Sequence, residues 1–314
     1  MLVHWISVFF LPKRAIHELN SIFRRFLWSG VDLAHKHCPI GWKSICYPNN
    51  EGGLAVRDIS TMNLAANLRH LWDLKIRKPT LWVEWVHKNK DFWSMKTPSN
   101  SSWCWRRILD HREYASKFIF NIVGKGNTIR FWKDNWHPLG ILVERFPLSL
   151  RYDSTLHINA LVSSCINDDT WLIPSHIQPT LTTLIQGIMN TPIDPLEDDE
   201  VTWTAGNSGL YTLKDTYEAL RPRTQVVYWS KLVWFKHCIP RHCFITWVAL
   251  HRRLKTKDKL NSWGIDIDIT CTLCRISVED DRHLFFSCEV CFLTGTMRSA
   301  GVLLTSMVIL LRLA

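Results

Sequence analysis

The chain has 314 residues, 46% of them hydrophobic and 21% charged, a globular composition with room for one large or two ordinary domains and nothing like a long disordered tail. Lys and Arg outnumber Asp and Glu by 38 to 28, and the resulting net charge of +10 favours polyanionic partners, nucleic acid first. Of the 10 cysteines, Cys38, Cys46, Cys104, Cys165, Cys238 and Cys243 are scattered and four cluster between 271 and 291, which argues against a small secreted disulfide scaffold and for a reducing compartment with ordinary thiols.

The first ten residues are apolar but have neither a basic leader region nor a small-residue cleavage site, so a signal peptide is not expected. Pro12 opens an amphipathic helix with Ile16, Leu19, Phe23, Phe26 and Leu27 on one face, ended by Trp28-Ser-Gly30. A turn follows at 48–53. A second helix is predicted over 61–77, with Leu64, Leu68, Leu71 and Trp72 inward and Pro79 as its stop. Trp82, Trp85 and Trp93 mark another helix just after it.

The period then changes. Two strand-like runs, 118–123 and 128–132, flank Gly124-Lys-Gly-Asn127 and predict a β-hairpin at about 118–132. Residues 137–200 read as short helices and long loops, and the acidic run 194–200 as a linker or solvated edge. A second hairpin is predicted at about 201–212, around 205–209. Thr212 and Asp215 then have capping-box spacing ahead of a helix. Pro240 suits the first turn of a further helix with Phe244, Trp247, Val248 and His251 on one face, and Thr256 the cap of a short helix closed by Gly264. The fold class expected is α+β, mostly helical, with two short hairpins and a small C-terminal module around the clustered cysteines. The apolar run 302–311 is too short to span a bilayer. An intracellular protein of nucleus or cytoplasm, with no membrane association, is expected.

Near the C-terminus, Cys271 and Cys274 are separated by two residues, as two thiolates on one tight turn would be. His283 and Cys288 supply two further ligands from a second segment, and the set suits one zinc ion. Cys291 forms a second pair with Cys288 at the same spacing and is the alternative fourth ligand. Three thiolates and a histidine leave no open coordination position, so the site is expected to be structural. The five-residue step from His283 to Cys288 does not fit one face of a regular helix; one of the two should sit at a helix end or a bend.

The preceding segment is basic, with Arg252, Arg253, Lys255, Lys257 and Lys259 as candidate phosphate contacts and Trp229, Trp234 and Trp247 interleaved as either core or stacking residues.

The order of motifs resembles the C-terminal part of reverse transcriptases from plant LINE-type (non-LTR) retrotransposons, ending in their zinc-binding domain. The carrying residues are Phe26-Leu-Trp-Ser-Gly30, Trp42 with Glu51-Gly-Gly-Leu54 and Asn63, Gly124-Lys-Gly126 with Phe131-Trp-Lys-Asp-Asn-Trp136, Trp203 with Ser208-Gly-Leu-Tyr211, and then Trp229, Pro240, Trp247, Arg253-Leu254, Thr256-Lys-Asp258 and the Cys-Cys-His-Cys set. The resemblance implies four parts: a helical region at 1–115 that follows the polymerase palm, a connector at 116–200, the zinc-binding domain at 201–292, and a divergent apolar tail at 293–314. It also implies that the palm aspartates precede this region. The pairs Asp168-Asp169, Asp198-Asp199 and Asp280-Asp281 lack the aromatic strand context of such a motif, and no RNase H domain is expected. A non-catalytic fragment with a structural zinc ion that binds RNA or DNA, and takes no small-molecule substrate, is the expectation. The alternative is a protein-interaction module or a decayed-gene product with no selected activity.

Overall fold

The computed structural model describes residues 2–34, 38–89, 92–93, 95–146, 156–167, 170–172 and 182–290. Its described secondary structure is mostly helical with two small two-stranded sheets, the α+β class expected. The chain forms two compact units: Met1–Pro12 with Ser60–Arg221, and Lys13–Ile59 with Pro222–Ala314. No helix among the described residues is long and apolar enough to cross a membrane.

In the second unit, the amphipathic helix spans Lys13–Ser29 and Gly30 leaves it with φ +71°. The turn after Pro48 has two glycines for two different reasons. Gly52 adopts φ +87°, a left-handed conformation that disfavours a side chain. At Gly53 a Cβ would lie 1.9 Å from the Tyr47 carbonyl oxygen. The Gly52 carbonyl accepts two hydrogen bonds, from Trp247 Nε1 at 2.8 Å and from His251 Nε2 at 2.9 Å. Both donors come from the Pro240–Leu250 helix and its C-cap, four residues apart and so on one face. Trp229 and Trp247 are buried here with Ile40, Ile45 and Val233. Their rings are core, which answers the open question of their role.

In the first unit, a helix absent from the sequence expectations spans Leu2–Val8. Its C-terminal carbonyls are orphaned because Pro12 ends any continuation. Asn63 resolves this: its Nδ2 donates to the Ile6 and Phe9 carbonyls at 2.8 and 2.7 Å, and its Oδ1 accepts from the Leu11 amide. Asn67, one turn on, repeats the contact to Ile6. Both project from the Ile59–Lys75 helix, which buries Leu68, Leu71 and Trp72 as predicted. Two further helices that sequence reading passed over, Trp103–Asp110 and Arg112–Ser116, pack Ile108, Leu109 and Ala115 into the same core.

Neither expected hairpin forms: 119–122 and 200–203 are strands, but 128–132 contributes only the isolated Arg130–Leu161 bridge and 210–212 is not a strand. Ile119–Ile122 lies antiparallel to Glu200–Trp203, with Ile122 opposite Glu200 and Ile119 opposite Trp203. The second sheet joins Ile166–Asn167 to Thr170–Trp171. The reason lies in the 124–128 loop. Instead of reversing the chain into a hairpin, it turns the amides of Gly124, Gly126 and Thr128 onto the Asp199 carboxylate at 3.0, 2.7 and 2.8 Å, and the Thr128 hydroxyl adds a fourth bond at 2.8 Å. Asp199 is thereby fixed beside the end of the first strand, so Glu200 onward continues along it. Residues 129–131 instead bond to Ala160 and Val162, where Ile129, Phe131, Trp132 and Trp136 form a second core. The loop expected at 205–209 keeps one closing bond, from the Trp203 amide to the Gly209 carbonyl at 2.7 Å. Thr212 is the N-cap that the spacing predicts, but the return bond is made by its side chain: the Thr212 hydroxyl accepts from the Asp215 amide and donates to the Asp215 carboxylate.

Burial by itself would raise the Asp199 carboxyl; the hydrogen bonds from Thr128, Gly126 and Gly124 outweigh it and hold the group below the usual carboxylate range. A lowered native value means this stability is fully present above the ordinary carboxylate pKa near ~4 and is lost as pH falls through the native value. Hydrogen bonds to a charged group contribute about 1.5–3 kcal/mol; Asp199 is partly exposed, so about 1–2 kcal/mol is the expectation after screening. Asp199→Ala should lower the urea midpoint at neutral pH by that amount and flatten the acid side of the stability profile. An unchanged profile between pH 5 and 2 would contradict this role.

Candidate metal centre

The Cys271, Cys274, His283 and Cys288 side chains converge: one ligand atom from each lies within 4.8 Å of all the others. A tetrahedral zinc site with Zn–S near 2.3 Å requires sulfurs about 3.8 Å apart, so the set fits the ion with sub-ångström adjustment. Cys274 Sγ stands 3.2 Å from His283 Nε2, which identifies the imidazole nitrogen that faces the cluster. Cys291 lies outside the described residues, as does the tail that follows it.

Local backbone geometry builds the first half of the site. The Ile269–Glu279 segment folds back on itself through Thr270 opposite Val278, the Cys271 amide to the Ser277 carbonyl at 2.8 Å, and the Glu279 amide to the Ile269 carbonyl at 2.9 Å. At the tip, Arg275 has φ +56° and its amide returns to the Cys271 carbonyl at 2.9 Å. That left-handed residue turns the next two amides inward. The amides of Ser277 and Ile276 donate to the Cys274 sulfur and lower its thiol to about 6, so it is largely thiolate at neutral pH. Cys271 is fully buried, and burial raises its thiol. A cation at the centre would offset that cost, since zinc binds the deprotonated sulfur.

The second half solves the five-residue step. Asp280 accepts from the His283 amide at 2.5 Å, and His283–Ser287 then form a π-helical turn closed by the Cys288 amide onto the His283 carbonyl at 2.8 Å. A bond five residues back widens the turn, so positions five apart fall on one side. Cys288 is also the C-cap of this turn, in extended conformation, as the sequence argument required of one of the two. The sequence expectations do not include a capping role for Asp280, although its position three residues before His283 is capping spacing.

The basic segment divides in two. Lys259 has a side chain only 23% exposed; its ammonium donates to the Arg252 carbonyl at 2.8 Å and the Leu254 carbonyl at 3.1 Å, and pairs with buried Asp281. Asp281 in turn accepts from the Leu254 amide. Lys257 donates to the Thr270 carbonyl at 2.8 Å. These two lysines strap the Lys257–Ser262 helix to the cysteine hairpin. Arg252, Arg253 and Lys255 are exposed, with Arg252 in the left-handed region at φ +53°.

Both described Asp-Asp pairs are engaged structurally. Asp198 pairs with Lys125 and Asp199 holds the 124–128 loop, while Asp280 caps the π turn and Asp281 holds Lys259. Asp168-Asp169 lies outside the described residues.

Purified chain should contain one zinc per molecule by elemental analysis. Cys271→Ser and His283→Ala should each abolish it and destabilise the C-terminal module by several kcal/mol, the bound metal being worth on the order of 10 kcal/mol in small zinc modules. Full zinc content in either variant would exclude this ligand set.

Residues 211–292 match the family described as zinc-binding in reverse transcriptase. Over 308 residues, 92% of this chain and 48% of the relative, the sequence is 25% identical to an Arabidopsis thaliana protein named "Putative ribonuclease H protein At1g65750". The chain thus spans about half the length of that relative. A second Arabidopsis thaliana protein, "Uncharacterized mitochondrial protein AtMg00310", is 25% identical over 140 residues, 43% of this chain and 90% of the relative. No solved structure matches the chain. The matched span encloses all four converging side chains, the lysine straps and the exposed arginines, and on that ground residues 211–292 are similar to the zinc-binding domain of the reverse transcriptase family.

Proposed function

We propose that the zinc-binding domain, taken from about 201 to 292, is a non-catalytic nucleic-acid-binding element. Its metal, held by Cys271, Cys274, His283 and Cys288, braces the surface and performs no reaction. The observation that carries this reading is the division of the basic segment: Lys257 and Lys259 are spent on backbone carbonyls and Asp281, while Arg252, Arg253 and Lys255 stand exposed on the loop they brace. Exposed cations on a fixed backbone can follow a phosphate chain without losing much conformational freedom. A ligand set of three thiolates and one imidazole leaves no position for a reactive water, and the described Asp-Asp pairs are committed to loop, cap and ion-pair roles.

RNA is the favoured ligand, with binding dominated by phosphate contacts. Simultaneous Arg252→Glu, Arg253→Glu and Lys255→Glu substitution should weaken a short RNA by at least tenfold at moderate salt and reduce the slope of log affinity against log salt by about 2, since each single-strand phosphate contact contributes roughly 0.7 to that slope. Lys259→Met should instead lower thermal stability, with loss of affinity only as the module loosens. Salt-independent binding, or wild-type affinity in the triple variant, would overturn the proposal. Primer extension with Mg²⁺ or Mn²⁺ tests the non-catalytic part: activity from this chain would refute it.

A further inference from the structure

The first unit exposes tryptophan in a way that its core does not explain. On the Leu81–Asn89 helix, Val83 and Val86 are the buried side chains among those described. Leu81, Trp85 and Lys88 follow at helical spacing on the opposite, outward stripe, and Trp85 is 61% exposed. Trp82, 36% exposed, lies one turn from Trp85 and meets Trp105 edge-on at 6.3 Å, which ties this helix to Trp103–Asp110. That second helix buries Ile108 and Leu109 and turns Trp103 outward, also 36% exposed, with the Arg107 guanidinium 5.5 Å from its ring centroid. Ser102 caps the helix through the Trp105 amide, so the Trp103 end is held in register.

The charges around these rings are chiefly positive. Arg77, Lys88 and Arg106 are exposed, and Arg107 and Lys78 are half-buried. The acids are Asp73, bonded to Arg69 and Lys78, Asp110, paired with Arg107 at 3.7 Å, and Glu84. Large exposed rings flanked by cations suit one ligand chemistry in particular. An unpaired base stacks on an indole face, and its phosphates are met by arginine and lysine; a duplex, whose bases are already stacked, gains only the second term. An apolar protein partner would leave the surrounding cations to be desolvated without a counter-charge.

We propose that the outward face of the Leu81–Asn89 and Trp103–Asp110 helices is a stacking platform for single-stranded nucleic acid, with Trp85 as its central ring. The proposal does not depend on the basic loop of the zinc-binding domain, because different residues in the other unit carry it.

The test uses the full zinc-loaded chain, with a fluorescein-labelled oligouridylate and the corresponding duplex as probes, followed by anisotropy. Trp85→Ala should weaken single-strand binding about tenfold, Trp85→Phe should recover most of it, and duplex affinity should stay within twofold for both. Stacking is worth about 1–3 kcal/mol per base, which sets that scale. Unchanged single-strand affinity in Trp85→Ala, or equal losses for single strand and duplex, overturns the platform. As a readout independent of substitution, photocrosslinking of a 5-iodouridine oligonucleotide to the unmodified chain should label Trp82, Trp85 or Trp103. Crosslinks confined to 222–290 overturn it. The two binding readings fail separately: the charge reversals at 252, 253 and 255 address the loop, and the Trp85 variants the platform.

Discussion

Four ligand atoms must reach one point, and the backbone has to deliver two of them from residues five apart. An α-helix would place His283 and Cys288 on different faces. The π turn removes that mismatch at the cost of a helix geometry seldom used elsewhere, and the Cys288 amide bond to the His283 carbonyl is the interaction that defines it. Much of the C-terminal module follows from this turn. Asp280 must precede it as a cap, which leaves Asp281 buried beside it. A buried carboxylate needs a cation, and Lys259 supplies it. The helix that carries Lys259 is thereby docked on the cysteine hairpin, and the 252–255 loop before it stands exposed.

The same logic of satisfying backbone groups explains why the family resemblance is spread thinly along the chain. Its described residues serve backbone and packing roles. Asn63 ends the first helix, Gly52 and Gly53 form a turn whose carbonyl receives Trp247 and His251, and Gly124 and Gly126 wrap Asp199. Trp203 is fully buried and donates to Thr216 at 2.9 Å. Each position answers a local steric or hydrogen-bonding demand that few residue types meet.

Charge has to be read together with its partners. A count of lysines and arginines between 231 and 259 treats every cation as equivalent. Hydrogen bonding separates them: a lysine spent on two carbonyls and a buried aspartate stabilises the module, whereas an arginine on the loop surface is available to a polyanion. The tryptophans divide similarly, with Trp229 and Trp247 in the core and Trp85 on the surface.

Spacing and periodicity were enough for much of this protein. Cys271, Cys274, His283 and Cys288 could be grouped from their intervals, because tight turns deliver thiolates at short fixed distances. Helices at 13–29, 59–75 and 240–250 were legible from apolar periodicity and from Pro12, Pro79 and Pro240, which act on the backbone within a few residues. The helix cap that joins Thr212 to Asp215 is equally local. What lay beyond reach was long-range. Whether residues 119–122 pair with 128–132 or with 200–203 depends on Asp199, more than seventy residues from the amides it binds, and no local pattern encodes that choice. Which lysines face solvent depends on the position of Asp281 in three dimensions. A side chain's partner across the fold, unlike its neighbour along the chain, is decided only when the tertiary structure brings the two within hydrogen-bonding distance.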